Sequence, residues 1–221
     1  MKSWASNSLS AVTRRENLVR ALLAVVILGG LVWALPVRRP GEGGRHHGES
    51  EPVLDPFEKA GVVEFKEGQR GPAISLRTMT GDAASLDAYK DKLVVLNFWA
   101  TWCQPCDVEM PTLEALWQKY RERGLVVVGI SVDRGAPRTI LEPYITNKQL
   151  TFPIWLDPEM KTASAWRVTG LPVTFLVRPG GEVAGWAVGA REWNSEPMQA
   201  LLERLLPGAH PHSAGSRARI W

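Results

Sequence analysis

Cysteine is scarce in this chain: Cys103 and Cys106 are the only two among 221 residues. A zinc site built on a Cys-x-x-Cys pair needs two more ligands, and there is no second cysteine pair to supply them. Histidine does not fill the gap. His46, His47, His210 and His212 are the only four, and all lie toward the chain ends in stretches rich in Pro, Gly and charge. No cysteine or carboxylate cluster stands at ligand spacing beside His46-His47, so that pair reads as a solvated linker pair and no metal is expected. Excess charge is missing as well. A net charge of +3 is too small to argue for nucleic acid, and nothing in the chain reads as a basic groove. No internal repeat is present. The apolar run Ala21 to Leu35 is short of the roughly 20 residues a spanning helix needs, but extending it to Leu18 puts only Arg20 near one end, where it can snorkel.

At 45% hydrophobic content the chain can still bury a full core, which fits one globular domain with appendages. The most informative stretch runs from Val94 to Pro111. Leu93 to Phe98 is continuously apolar apart from Asn97, the composition of a strand buried on both faces, and a short polar turn carrying the two cysteines follows. Beyond it Val108, Leu113, Leu116, Trp117 and Tyr120 recur at helical spacing, so the Cys-x-x-Cys falls where a strand delivers the chain into a helix N-terminus. Unpaired N–H groups and the positive end of the helix dipole favour a thiolate at Cys103, and the thiolate is the nucleophile of disulfide exchange.

Asn97-Phe98-Trp99-Ala100 followed by Trp102-Cys103-Gln104-Pro105-Cys106 resembles the active-site stretch of thioredoxin-fold proteins. The continuation through Glu109 and Pro111 resembles the TlpA/ResA type, the membrane-tethered thiol-disulfide oxidoreductases of bacterial cell envelopes. A second motif, Val168-Thr169-Gly170-Leu171-Pro172 ahead of the apolar run Val173 to Val177, agrees with it. A Pro at the start of such a strand is explained if Leu171-Pro172 is cis and sits in a turn; an ordinary trans Pro is the alternative.

The resemblance implies an α/β thioredoxin-like fold over residues 65–206, with an N-terminal β-hairpin and a helical insertion, preceded by a single transmembrane helix. It implies Cys103 as an exposed nucleophile and Cys106 as the more buried resolving thiol, working as a redox-active disulfide with no other cofactor. Glu109 would shuttle a proton, because the position of the fold's usual buried acid holds Asn97. The Leu171 backbone would pair with an extended substrate segment, Pro172 would pack near the sulfurs, and Trp102 and Pro105 would form the lip of the site. Expected partners are disulfide-containing envelope proteins, typically apoproteins of cytochrome c maturation, and a membrane thiol electron donor. Gln104-Pro105 brings no His or cation between the cysteines, so the pair should be reducing.

Along the rest of the chain, residues 1–20 are basic and read as a cytoplasmic segment, and 21–37 as a membrane anchor that places the remainder outside, on the periplasmic side of the cell membrane. A cleaved leader and a buried core helix are the other readings of that run. Residues 38–64 read as a flexible linker and 207–221 as a disordered tail. An alternating segment from Ala73 to Met79, a turn at Thr80-Gly81-Asp82 and a resumption at Ala84 predict the hairpin. Leu125 to Val132 reads as a second buried strand. Pro143 predicts a late start or a kink in a helix around 139–147, and 152–156, 158–166, 182–188 and 197–206 read as strand, helix, strand and helix.

Two other functions would use the same pair. A thiol peroxidase requires Pro-x-x-x-Thr/Ser-x-x-Cys, and Leu96 and Ala100 occupy those positions before Cys103. A copper-assembly reductant or metal-binding chaperone would use both sulfurs, but such sites commonly add a histidine, and none is near.

Overall fold

The structure is a computed structural model and describes residues 54–135 and 137–208. Its elements in chain order are α1 (Pro56–Lys59), β1 (Val63–Arg70), β2 (Leu76–Thr78), β3 (Ala83–Ala84), β4 (Leu93–Trp99), α2 (Gln104–Tyr120), β5 (Leu125–Ser131), α3 (Pro137–Lys148), β6 (Ile154–Leu156), α4 (Lys161–Ala165), β7 (Val173–Val177), β8 (Glu182–Val188) and α5 (Glu196–Leu205). The strands form one sheet in the order β1-β8-β7-β4-β5-β6-β2-β3. β4 runs parallel to β5 and antiparallel to β7, and every residue of β4 and β5 is buried. That is why these two strands read as unbroken apolar runs rather than alternating ones.

α2 buries Cys106, Glu109, Met110, Leu113, Leu116 and Tyr120, the stripe that helical spacing puts on one face. The chain leaves it through a short 3-10 turn, Arg121–Arg123, and stops at Gly124, whose φ of 90° is left-handed and open to glycine without strain. The hairpin is β2 paired with β3, and β2 also pairs with β6, so it closes one edge of the sheet.

Two expectations need correction. Residues 38–64 do not form a linker throughout: α1 and the start of β1 lie inside that range. Asp55 caps α1 by accepting from the Phe57 N–H at 2.8 Å, Phe57 and Val62 are buried, and β1 pairs antiparallel with β8. The charged sequence of β1 suits an edge strand and hid it from pattern reading. Pro143, in turn, neither delays nor interrupts α3, which runs through it. Tertiary contacts hold that helix in place. Tyr144 lies 5.1 Å from Trp99 between ring centroids and donates to Asp107 Oδ1 at 2.9 Å, and Lys148 pairs with Asp107 at 2.7 Å. Burial and the Asp107 carboxylate push the Tyr144 hydroxyl well above its ordinary pKa, and the Lys148 ammonium draws Asp107 below the ordinary carboxylate range.

The expected anchor (21–37), the segment before it and residues 209–221 lie outside the described residues, and among the described residues no helix is long and apolar enough to cross a membrane.

The β1–β8 junction yields a stability prediction. A Cβ on Gly185 would lie 2.7 Å from the Val63 carbonyl oxygen and 2.9 Å from the Val62 side chain, so backbone must move to admit it. Gly185→Ala is expected to cost about 1–3 kcal/mol by overpacking. Thermal or denaturant unfolding measures it, and an unchanged midpoint would show that β1 is not docked there.

Candidate active site

Cys103 is the N-cap of α2, and its Sγ accepts from the Cys106 N–H at 3.3 Å. This is the local arrangement that favours negative charge on the outer sulfur. The two cysteines are joined as a disulfide with Cα atoms 5.3 Å apart. Cys106 has no exposed surface, as expected of the inner member. Cys103, expected to be exposed, retains only 6% in this oxidised state. The neighbouring Trp102 is 69% exposed instead, and Gln104 and Pro105 are exposed after it.

The turn before Cys103 is pinned from β5. The buried Asp133 carboxylate accepts from the Thr101 N–H at 3.1 Å, the Thr101 hydroxyl at 2.7 Å and the Ser131 hydroxyl at 2.8 Å. Two hydrogen bonds to one residue fix the direction in which the strand hands over to α2.

The Leu171-Pro172 peptide is cis. Pro172 is buried and accepts from the Gly189 N–H at 2.9 Å, which ties the loop to the end of β8. Among the described residues neither backbone group of Leu171 has a backbone partner. The loop and Cys103 line one mainly apolar groove of about 470 Å³, formed by Trp102, Cys103, Gln104 and Pro105 together with Met160, Val168, Thr169, Gly170 and Leu171. Three of the four residues expected to bind substrate, Trp102, Pro105 and Leu171, thus line one groove with Cys103; Pro172 lies buried behind it.

Glu109 is 1% exposed. Its Oε1 accepts from Asn97 Nδ2 at 2.8 Å, and its Oε2 accepts from the Trp193 indole N–H at 2.9 Å and the Arg191 backbone N–H at 3.4 Å. Burial raises the pKa of this carboxyl above the ordinary Glu value, against the opposing effects of Trp193, Asn97 and Arg191. Asn97 also donates to Thr174 Oγ1 at 2.8 Å, which links α2, β4 and β7 through one buried amide. The loop that brings Trp193 is held by Thr112, whose hydroxyl accepts from the Trp193 N–H at 3.1 Å, and by Arg191, whose guanidinium donates to the carbonyls of Gly61 and Val188.

Glu109 is legible in the sequence, but its partners Trp193 and Arg191, and Thr174 beyond Asn97, are not. From sequence Asn97 reads only as the amide in an acid's place. Trp193 is 84 residues from Glu109, on a loop without periodicity, so no local signal pointed to it. Among the described residues no cluster of three or more His, Cys, Asp and Glu is placed to hold a metal ion. Chemically, the arrangement offers a disulfide at a helix N-terminus, an apolar groove with unpaired backbone beside it, and a buried carboxyl one helical turn beyond the inner sulfur.

Comparison with known proteins bears on the same residues. The AhpC/TSA family model matches residues 68–185. Thiol-disulfide oxidoreductase ResA of Geobacillus kaustophilus (strain HTA426) is 34% identical over 140 residues, covering 63% of this chain and 78% of that protein. The thioredoxin-like protein YneN of Bacillus subtilis (strain 168) is 35% identical over 127 residues, covering 58% and 74%. A solved structure described as thiol:disulfide interchange protein DsbE, from Chlorobium tepidum, superposes with a TM-score of 0.57 at 28% identity, covering 64% of this chain and 99% of that one.

Proposed function

The chain belongs to the AhpC/TSA family as a ResA-type, thioredoxin-like thiol-disulfide oxidoreductase, and from that premise we propose that it is an extracytoplasmic reductant of disulfides in envelope proteins, of the cytochrome c maturation type. The observation that carries this reading is that Cys103 of the Cys103–Cys106 disulfide lines one apolar groove with Leu171, whose backbone groups have no backbone partner among the described residues. An extended substrate segment can add there as a strand, with the substrate disulfide brought to Cys103.

In the reduced enzyme the Cys103 thiolate attacks one sulfur of the substrate disulfide. A Cys103–substrate bond forms, the substrate S–S bond breaks, and the released thiolate takes a proton from solvent. Cys106 then gives its proton to the Glu109 carboxylate and attacks Cys103 Sγ. The mixed disulfide breaks, the second substrate sulfur leaves as a thiolate, and the Cys103–Cys106 disulfide remains. Two electrons have passed to the substrate. A membrane thiol donor, reached through an N-terminal anchor, returns them, because an oxidising compartment has no cytosolic reductant.

One labelling experiment tests location and direction together. Cys103 and Cys106 are the chain's only two cysteines and Cys106 is fully buried, so a membrane-impermeant maleimide applied to intact cells expressing the full chain should label Cys103 without prior reduction. Labelling that appears only after lysis contradicts the extracytoplasmic placement. Labelling that needs added dithiothreitol contradicts the role as a reductant.

A further inference from the structure

The Asn97 amide is fully buried, its Nδ2 donates to both Glu109 and Thr174, and its Oδ1 has no partner. An orphaned buried acceptor beside an ionisable group needs a reason. The ionised Glu109 has one. A carboxylate only accepts, so Nδ2 must face it.

Protonated Glu109 has a different requirement, because its carboxyl proton needs an acceptor. On Oε2 that proton would meet the Trp193 indole N–H and the Arg191 backbone N–H, two donors that cannot become acceptors. On Oε1 it would meet Asn97, where a half-turn of the amide exchanges Nδ2 for Oδ1. Thr174 permits the same exchange, since its hydroxyl now accepts from Nδ2 and can rotate to donate to Oδ1. Both contacts of Asn97 therefore survive the half-turn, with every donor and acceptor reversed.

We propose that Asn97 is a two-way positioning residue for the Glu109 proton: its amide donates to the carboxylate, turns to accept from Oε1–H once Glu109 is protonated, and passes the reversal to Thr174 on β7. This rests on the reading of Glu109 as the group that takes the Cys106 proton. During resolution of the mixed disulfide the proton moves from Cys106 Sγ to Glu109 Oε1, the amide turns, and re-ionisation turns it back. The turned state leaves Nδ2 where Oδ1 now lies unpartnered, a cost that keeps the protonated form from being favoured as strongly as burial alone would make it. The charged group facing Glu109 from outside its own helix is the Arg191 guanidinium, which also favours ionisation, and from its own helix Cys106 lies one turn back. Thr174 stands two residues beyond Pro172, so the reversal reaches the strand that carries the substrate-facing loop.

The test is an NMR titration of isotope-labelled full-length protein in detergent micelles, held in the disulfide form so that neither cysteine titrates. Glu109 13Cδ reports ionisation, and contacts from the Asn97 side-chain NH2 to the Thr174 methyl report orientation. Those contacts should weaken as pH falls, with the midpoint of the Glu109 titration. In Glu109→Gln the fixed donors Trp193 and Arg191 hold the Gln oxygen, so its NH2 faces Asn97 and the turned orientation should persist at every pH. Asn97→Asp, which cannot donate to a carboxylate, should raise the Glu109 midpoint by about one pH unit or more. An Asn97 amide that keeps its orientation while Glu109 titrates, or in Glu109→Gln, overturns the proposal. If the amide turns but Glu109→Gln exchanges disulfides at the parental rate, the positioning role stands and the catalytic reading of Glu109 falls.

Discussion

Cys106→Ser is expected to stall on its substrate. Offered an oxidised Cys-x-x-Cys-His peptide, the form of a haem-attachment site, the reduced variant should accumulate a peptide adduct on Cys103 and reduce the peptide in steady state about 10³-fold more slowly than the parent. The size follows from proximity. A resolving sulfur one helical turn away acts at an effective concentration on the order of molar or more, and the variant must wait for external thiol at roughly millimolar concentration. The Ser131–Asp133–Thr101 clamp and the groove are untouched by the change, so binding and first attack remain. Mass spectrometry locates the adduct. Cys103→Ser should form none, because Cys106 is fully buried. An adduct on Cys106 in that variant, or near-parental turnover by Cys106→Ser, would reverse the assigned roles.

Glu109→Gln should slow resolution of the mixed disulfide by about 100-fold near neutral pH, the low end of what a positioned proton acceptor contributes. It should do so without loss of fold, since Gln keeps the shape and can still accept from Trp193. The stability consequence has a definite sign. Burial raises the folded-state pKa of Glu109 above the unfolded value of about 4.3. A raised carboxyl pKa penalises the ionised form, so Glu109 costs stability that grows as pH rises from about 4.3 toward the folded value and is constant above it. Relative to Glu109→Gln, the parent should therefore gain stability as pH falls through that window, and comparative denaturation curves measure this. Parental exchange rates for Glu109→Gln across roughly pH 5 to 9 would remove Glu109 from the mechanism.

Residues whose roles are set by their chain neighbours were readable from sequence. β4 and β5 announce themselves as unbroken apolar runs because both faces are covered, and the cysteines follow directly from the end of β4 into α2. The roles of Glu109 and of the Leu171-Pro172 turn were legible through the resemblance to the TlpA/ResA type, which the residues around them carry. What escaped depends on contacts distant in sequence. β1 is polar because it lies at an edge, and it owes its place to β8 and to the docking of Phe57 and Val62 near Gly185. Trp193 looked like any packing tryptophan until the fold put its N–H against a carboxylate. Pro143 argued against a continuous helix, and the Asp107 contacts with Tyr144 and Lys148 outweighed it. The low exposure of Cys103 depends on the walls of the groove, which come from parts of the chain as far apart as Trp102 and Leu171.

The central claim is that this dithiol reduces disulfides rather than making them, and its equilibrium with a glutathione redox buffer tests that most directly. With Gln104-Pro105 between the cysteines and no cation there to stabilise a thiolate strongly, the account predicts a potential of roughly −220 to −270 mV. A value near the −120 mV or so of a strong dithiol oxidant would contradict it.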